Sequence, residues 1–271
     1  MWNGEDLNGR RLLLHREQGL GDAIQFIRYV PLLAERGAKV IVHCDRSLHR
    51  LFSHGLPIEQ LVADHDPLPD FDFHLPLMSL PRLFATTIET IPNQVPYLMP
   101  TSDLIEQWSQ RLAVSSAELK IGMVWSGSVH FPGNHERAMT LSKLEPLLEL
   151  RGFRFYSLQK GPPSSQLSSL PARLSITDLG GEFADYADTA AAIMNLDLLL
   201  TVDTSVAHMG GALGRPTWVM LSRLPDWRWL RERSDSPWYP TMRLFRQQRL
   251  NDWPSLVSEV ATEIQNLLPR Q

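Results

Sequence analysis

A continuous apolar run, Leu198-Leu199-Leu200-Thr201-Val202, stops abruptly at three consecutive helix-capping residues, Asp203, Thr204 and Ser205. A short small-residue stretch follows, with Gly210 and Gly211 inside it and Gly214 and Pro216 just beyond. The run has the length and composition of a buried strand, and the caps, glycine stop and proline mark the two ends of a helix. Three caps in a row leave backbone N–H groups of the next turn pointing into one space, at the positive end of the helix dipole. An anion fits there, ordinarily a phosphate. Gly210, Gly211 and Ala212 would let this helix lie against its sheet, and His208 would face the same mouth. The competing reading is plain: Asp203 or Ser205 caps a buried helix and His208 is a packed histidine.

The first half opens with a short apolar strand over residues 11–15, a glycine-bearing loop over 16–22 and helical spacing over 23–35. Ile24, Ile27, Val30, Leu33 and Ala34 follow the i, i+3, i+4 rule, Gly37 is a natural stop, and residues 39–44 return as a second strand. This is a βαβ unit, so a parallel sheet begins the protein. Gly19 and Gly21, with Asp45 after the second strand, imitate a dinucleotide fingerprint, but Ile24 stands where its third glycine belongs. Asp22 places a carboxylate where a pyrophosphate would sit. The dipole stabilises its ionised form, which suits a proton acceptor at a crevice or an ordinary first-turn acid. Asp45 is expected to cap a helix near Ser47. Further strands are expected at 59–63 and 71–74, and helices at 79–85 and 102–111. Asp70 and Asp72 have the spacing of a weak divalent-metal motif. The polar stretch 114–118 suits a domain boundary.

The second half alternates strand and helix at least four times, which argues for a second doubly wound sheet. A strand at 120–125 opens into the polar loop 126–137, and one at 153–158 ends in Gln159, Lys160 and Gly161. Ligands bind at such strand ends in open α/β sheets. Ser142 and Glu145 form a capping-box pattern, 174–176 reads as a short strand, 185–194 as a helix and 217–221 as another strand. Arg137 and Lys160, both after strand ends, could neutralise a diphosphate together with the N-terminus of the 204–213 helix. Trp227, Arg228 and Trp229, with Trp238 and Tyr239, suggest either a stacking surface or, in preference, an aromatic clamp on a long loop. A final helix is expected from Asp252 or Trp253 to about Leu268.

Composition excludes several classes. The 271 residues are 43% hydrophobic and 21% charged with a formal net charge of −4, so overall charge does not draw the chain to nucleic acid, and only a local basic patch could. The single cysteine, Cys44, excludes an internal disulfide and a cysteine-based metal site. No apolar run approaches the ~20 residues that cross a bilayer, and the N-terminus lacks a secretory pattern, so a cytoplasmic location is expected.

Four stretches, Glu17 through Tyr29, Gly122 through Gly127, Ser157 through Gly161 and Asp203 through Met209, together resemble the heptosyltransferase-like glycosyltransferases of family 9. The form found C-terminal to tetratricopeptide repeats in bacterial proteins is the most similar. The resemblance implies a GT-B-like α/β fold: two Rossmann-like domains whose parallel sheets face each other across a cleft. Residues 1–117 would form the acceptor side and 118–271 the nucleotide-sugar side, with the terminal helix, about 253–268, free to pack back on the first domain. It implies sugar transfer, of the hexosyl or heptosyl class, from a nucleotide-diphosphate donor to an acceptor hydroxyl, inverting and metal-independent. No cofactor is expected beyond the donor itself. Asp22 would be the catalytic acid-base group, and Gln18, Gly19 and Gly21 its acceptor-side loop. The donor would be held by Ser126, Arg137, Gln159, Lys160, Asp203, Thr204, Ser205 and His208, with Arg137 in place of a lysine common in the family. The acceptor would be a glycan, lipid or protein, and tetratricopeptide repeats are possible in a longer parent protein. The alternatives are a non-catalytic GT-B-like interaction module and an NAD-dependent oxidoreductase using Gly19, Gly21 and Asp45.

Overall fold

A computed structural model describes residues 1–113 and 118–268. The first sheet is four-stranded and parallel: β1 (Arg11–His15), β2 (Lys39–His43), β3 (Ile58–Val62) and β4 (Phe73–Pro76), in the order β3-β2-β1-β4. Its helices are α1 (Leu20–Phe26), α2 (Val30–Glu35), α3 (His49–Phe52) and α4 (Leu80–Leu83); the helix that follows, α5 (Ser102–Arg111), packs against the helix Tyr186–Met194 of the second lobe. The second sheet comprises β5 (Leu119–Val124), β6 (Phe153–Ser157), β7 (Thr177–Asp178), β8 (Leu198–Val202), β9 (Thr217–Leu221) and β10 (Met242–Arg246). It is parallel throughout, in the order β10-β9-β8-β5-β6-β7. With it go α6 (Asn134–Arg137), α7 (Glu145–Leu148), α8 (Tyr186–Met194), α9 (Ser205–Ala212) and α10 (Trp253–Gln265). The fold is α/β with two parallel sheets, as expected.

Strand order reverses at two places, between β1 and β4 and between β5 and β8. Chains that leave neighbouring strands in opposite directions open a crevice beyond the strands' carboxyl ends. The loops after β1, β5 and β8 all carry candidate site residues, so topology alone places them at crevice mouths.

Several local expectations shift. The first helix begins at Leu20 rather than Ala23 and is interrupted by a 3-10 turn at Ile27–Tyr29. Pro31 explains the break, since it has no N–H to give residue 27. The short strand expected at 174–176 lies at Thr177–Asp178. The Ser142–Glu145 capping box does not organise its helix. A 3-10 turn starts at Leu141 with Thr140 in the cap position, and the Ser142 hydroxyl bonds the Thr140 hydroxyl at 2.9 Å. Residues 114–117 lie outside the described set, and the boundary expected there with them.

The terminal helix also departs from expectation. Its stripe Trp253, Leu256, Val257, Val260 and Ile264 packs with Ile121, Met123, Leu144, Phe155 and Met220, on the second sheet and not on the first lobe. It follows directly from the edge strand β10, so its apolar face meets the nearest uncovered face of that sheet.

A second apolar core joins the two lobes without interruption. Ala23, Ile24 and Phe26 of α1 belong to the same cluster as Ala207, Met209 and Ala212 of α9. Arg28 is buried inside this junction: Nη1 donates to the Trp238 carbonyl at 2.7 Å, Nη2 to the Tyr97 hydroxyl at 3.0 Å, and the guanidinium lies 4.6 Å from both the Tyr97 and Tyr239 ring centres. At the surface, Arg50 of α3 pairs with Asp185 and Asp188 of α8 at 2.7 and 2.9 Å. No helix among the described residues is long and apolar enough to cross a membrane.

α9 lies as close to its sheet as its glycines suggest. A Cβ on Gly210 would sit 2.3 Å from Thr217 Oγ1 and 2.6 Å from Leu199 Cδ2, and one on Gly211 would sit 2.3 Å from Tyr239. Gly210→Ala is therefore expected to destabilise the fold by about 1–3 kcal/mol through overpacking. Urea denaturation checks this; an unchanged midpoint would mean that α9 can lift from the sheet.

Candidate functional site

A cavity of about 960 Å³ opens between the lobes, within the ordinary range for small-molecule sites. All the residues that the resemblance assigned to the site line it: Gln18, Gly19, Gly21 and Asp22 from the first lobe; Ser126, Arg137, Gln159, Lys160, Asp203, Thr204, Ser205 and His208 from the second.

At the β8–α9 corner the three cap-competent residues divide their work. Thr204 is the cap, its Oγ1 accepting from the Val206 N–H at 3.2 Å. Ser205 turns its hydroxyl to the Tyr186 hydroxyl at 2.7 Å. Asp203 is left with its carboxylate buried, 3.9 Å from Arg137 Nη1. Burial raises its pKa against the opposing pull of Arg137, because a desolvated carboxylate resists ionisation.

His208 is 5% exposed, shares a 2.9 Å hydrogen bond between Nδ1 and the Tyr239 hydroxyl, and stacks on Trp229 with ring centres 5.3 Å apart. Burial, followed by the nearby cations Arg228, Arg28 and Arg137, holds its pKa well below the ordinary value, so the ring is neutral. Sequence reasoning offered a site residue or a packed histidine, and the structure shows a packed ring that borders the cavity.

The loops after β5 and β6 are fastened to each other by Gln159. Its Oε1 accepts from the Trp125 and Ser126 N–H groups at 3.1 and 2.9 Å, and its Nε2 donates to the Ser126 and Lys160 carbonyls at 3.0 and 2.9 Å. The side chain builds the wall and has no bond left over. Asn134, which the sequence did not flag, does the same for the next turn: Oδ1 accepts from the Gly127 N–H at 3.0 Å and Nδ2 donates to Ser126 Oγ at 3.1 Å. Lys160 lines the cavity, but its ammonium donates to the Phe183 carbonyl at 2.5 Å. Arg137 differs. Its guanidinium lies 4.3 Å from the Phe131 ring centre, and its Nε is buried without a partner among the described residues. A buried donor with nothing to donate to marks a place for an acceptor such as a phosphate oxygen.

On the opposite wall, α1 starts at Gly19 with no side-chain cap, and Asp22 occupies its first turn. Gly21 serves packing here. A Cβ on Gly21 would sit 2.8 Å from His208 Cδ2 and 3.4 Å from Ser205 Cα. The space a pyrophosphate would need over a dinucleotide loop is thus occupied by His208. Asp45 is likewise committed, accepting from the Ser47 N–H and hydroxyl at 2.9 and 2.6 Å, as the capping expectation had it. Both findings count against the dinucleotide reading. Of the weak metal pair, Asp72 binds the Arg11 N–H at 2.8 Å and Arg10 at 3.3 Å, tying down the start of β1. Among the described residues no group of three or more His, Cys, Asp or Glu is arranged to hold a metal ion.

The largest omission of the sequence reading is Arg228, which reaches Asp22 directly and is 7% exposed at its side chain. The aromatic run around it reads as a clamp, and Trp229, Trp238 and Tyr239 are indeed buried. The signal for Arg228 was a cation set among those aromatics beside Asp226, but its partners are about two hundred positions away in the chain.

No family model matches this chain. It is similar to protein FlbA of Caulobacter vibrioides, 26% identical over 290 residues, covering 98% of this chain and 48% of FlbA. The chain therefore spans about half the length of that relative. Among solved structures it is similar to a glycosyl transferase family 9 protein of Veillonella parvula, with a TM-score of 0.65, 11% identity and coverage of 99% and 93% of the two chains. It is also similar to the E. coli heptosyltransferase WaaC with ADP-2-deoxy-2-fluoro heptose, with a TM-score of 0.62, 12% identity and coverage of 95% and 100%. At these identities the likeness establishes the fold, which is that of the GT-B-like heptosyltransferases.

The neutral state of His208 has a measurable consequence. Below its ordinary value of ~6.5 the unfolded chain binds a proton that the folded ring refuses, so stability falls as pH drops from 7 towards 5. His208→Gln is expected to flatten this part of the pH–stability curve, as measured by urea unfolding at each pH. An identical slope in the variant would show that His208 is not the group responsible.

Proposed function

We propose that the chain is a glycosyltransferase that moves a sugar from a nucleotide-diphosphate donor to an acceptor hydroxyl, with inversion and without a metal ion. The observation that carries this reading is that one cavity receives a first-lobe carboxylate, Asp22, from one side and the α9 N-terminus with Arg137 from the other. Residues 1–117 form the acceptor side in this reading and 118–271 the donor side.

The donor diphosphate lies against the first turn of α9, where the dipole favours negative charge, and takes hydrogen bonds from Arg137. Ser205 and neutral His208 border the same space, and Lys160 adds positive charge from the rim. Asp22 accepts the proton of the acceptor hydroxyl as its oxygen bonds to the anomeric carbon. The bond from that carbon to the diphosphate breaks, and the nucleoside diphosphate leaves with the electron pair. Attack opposite the departing group inverts the anomeric centre. The acceptor is a glycan, lipid or protein hydroxyl, and the length of the FlbA relative leaves room for further domains in a parent protein, tetratricopeptide repeats among them. The reaction is assigned to the cytoplasm, where nucleotide sugars are made.

Thermal-shift screening against nucleoside diphosphates, sugar nucleotides and NAD tests the reading first. Stabilisation by a nucleoside diphosphate is expected, whereas silence across the panel would favour a non-catalytic module. Asp22→Asn is expected to lower sugar transfer by at least ~100-fold while nucleoside diphosphate affinity changes by less than about twofold. Retained turnover would remove Asp22 as the base. Arg137→Met is expected to weaken nucleoside diphosphate binding by roughly 10- to 100-fold, measured calorimetrically.

A further inference from the structure

Three residues on one face of α1 converge on a single guanidinium from the other lobe. Asp22 Oδ1 accepts from Arg228 Nη2, Gln25 Oε1 accepts from Arg228 Nε at 2.7 Å, and the Phe26 ring centre lies 5.7 Å from the Arg228 guanidinium carbon. Asp22, Gln25 and Phe26 stand at i, i+3 and i+4, the spacing that brings side chains onto one helical face. From its own lobe Arg228 is gripped by Asp226, which accepts from Nη1 at 2.7 Å, and by Trp227, whose ring centre is 4.7 Å away. Gln25 is fully buried. A buried arginine fork held from both sides fixes both the place and the orientation of whatever it binds.

We propose that Arg228 is the positioning residue for Asp22. It spans the cleft from the donor lobe, holds Oδ1 of the Asp22 carboxylate, and leaves Oδ2 as the oxygen that takes the acceptor proton. The inference rests on Asp22 as the base and adds how that base is set in register with the donor. Arg228 and the α9 terminus belong to the same lobe, so the pair measures the first lobe's base against the second lobe's diphosphate site. The other lysine and arginines that line the cavity do not serve here: Arg16 pairs with Asp64, Lys160 is spent on the Phe183 carbonyl, and Arg137 faces Asp203.

The test compares Arg228→Gln, Arg228→Lys and Asp22→Asn. The first readout needs no donor. In a crystal structure of Arg228→Gln the Asp22 carboxylate is expected to leave its place or lose a single orientation; a carboxylate that stays where it is overturns the proposal. The second uses ADP-heptose as the sugar nucleotide and ADP as the binding probe. Arg228→Gln is expected to lower kcat by roughly 100-fold, the cost of a base misplaced by about 1 Å, with the ADP dissociation constant changed by less than about twofold. Arg228→Lys, which keeps the charge without the fork, is expected to recover only part of that loss. Equal losses in kcat and ADP affinity would make Arg228 a cleft fastener or phosphate ligand, and full activity in Arg228→Lys would remove any need for the fork; either overturns the proposal. Asp22→Asn separates the two levels of the argument. If it keeps its turnover, the base assignment fails, whereas the place of the carboxylate in Arg228→Gln still decides what Arg228 does.

Discussion

The cavity exists because the first turn of α1 comes to rest on the first turn of α9. Gly21 lies so close to His208 that a methyl group would be 2.8 Å from the ring. The ring cannot yield, because Trp229 stacks on it and Tyr239 holds its Nδ1. That approach brings a first-lobe carboxylate to the edge of the space into which α9 directs its N–H groups. Without a glycine at position 21 the two helix starts would stand further apart and the two walls would not face each other at working distance.

Electrostatics then sorts the charged groups that the fold has gathered. Arg228 is consumed by Asp22, Asp226 and Gln25, Lys160 by a backbone carbonyl, and Gln159 by four bonds to the β5 and β6 loops. Among the described residues, Arg137 retains a buried, unpartnered Nε, near a carboxylate whose ionisation is resisted by burial. In the proposed reading an anion arriving there would satisfy that donor. His208 stays neutral through its burial and its cationic neighbours, so it contributes shape and hydrogen bonding and no charge.

The junction between the lobes is fastened at several places beside the crevice. The shared apolar core, the buried Arg28 with its tyrosine and tryptophan neighbours, and the Arg50 pair with Asp185 and Asp188 act at separate places along it. Buried cation–aromatic contacts of this kind resist separation more than surface ion pairs do, because parting them re-exposes rings as well as charge.

Much of this was legible in the chain itself. Strand and helix spacing, the caps at 203–205, the glycines at 19, 21, 210 and 211 and the cations after β5 and β6 are local features, read from neighbours within a few positions. They determined the α/β class and two parallel sheets, whereas the single cleft and several of the residues that line it were expected only through the resemblance to family 9. What they could not determine was the partner of each side chain. Gln25 and Arg28 look like polar interruptions of an amphipathic helix, and Arg228 like one cation in an aromatic clamp, yet each also finds partners about seventy to two hundred positions away. The packing face of α10 was equally hidden, because its stripe fits either lobe in hydrophobicity and only the position of β10 decides between them. Periodicity and capping act along the chain, so sequence fixes the elements; pairing acts across it, so only the folded arrangement decides which carboxylate meets which arginine.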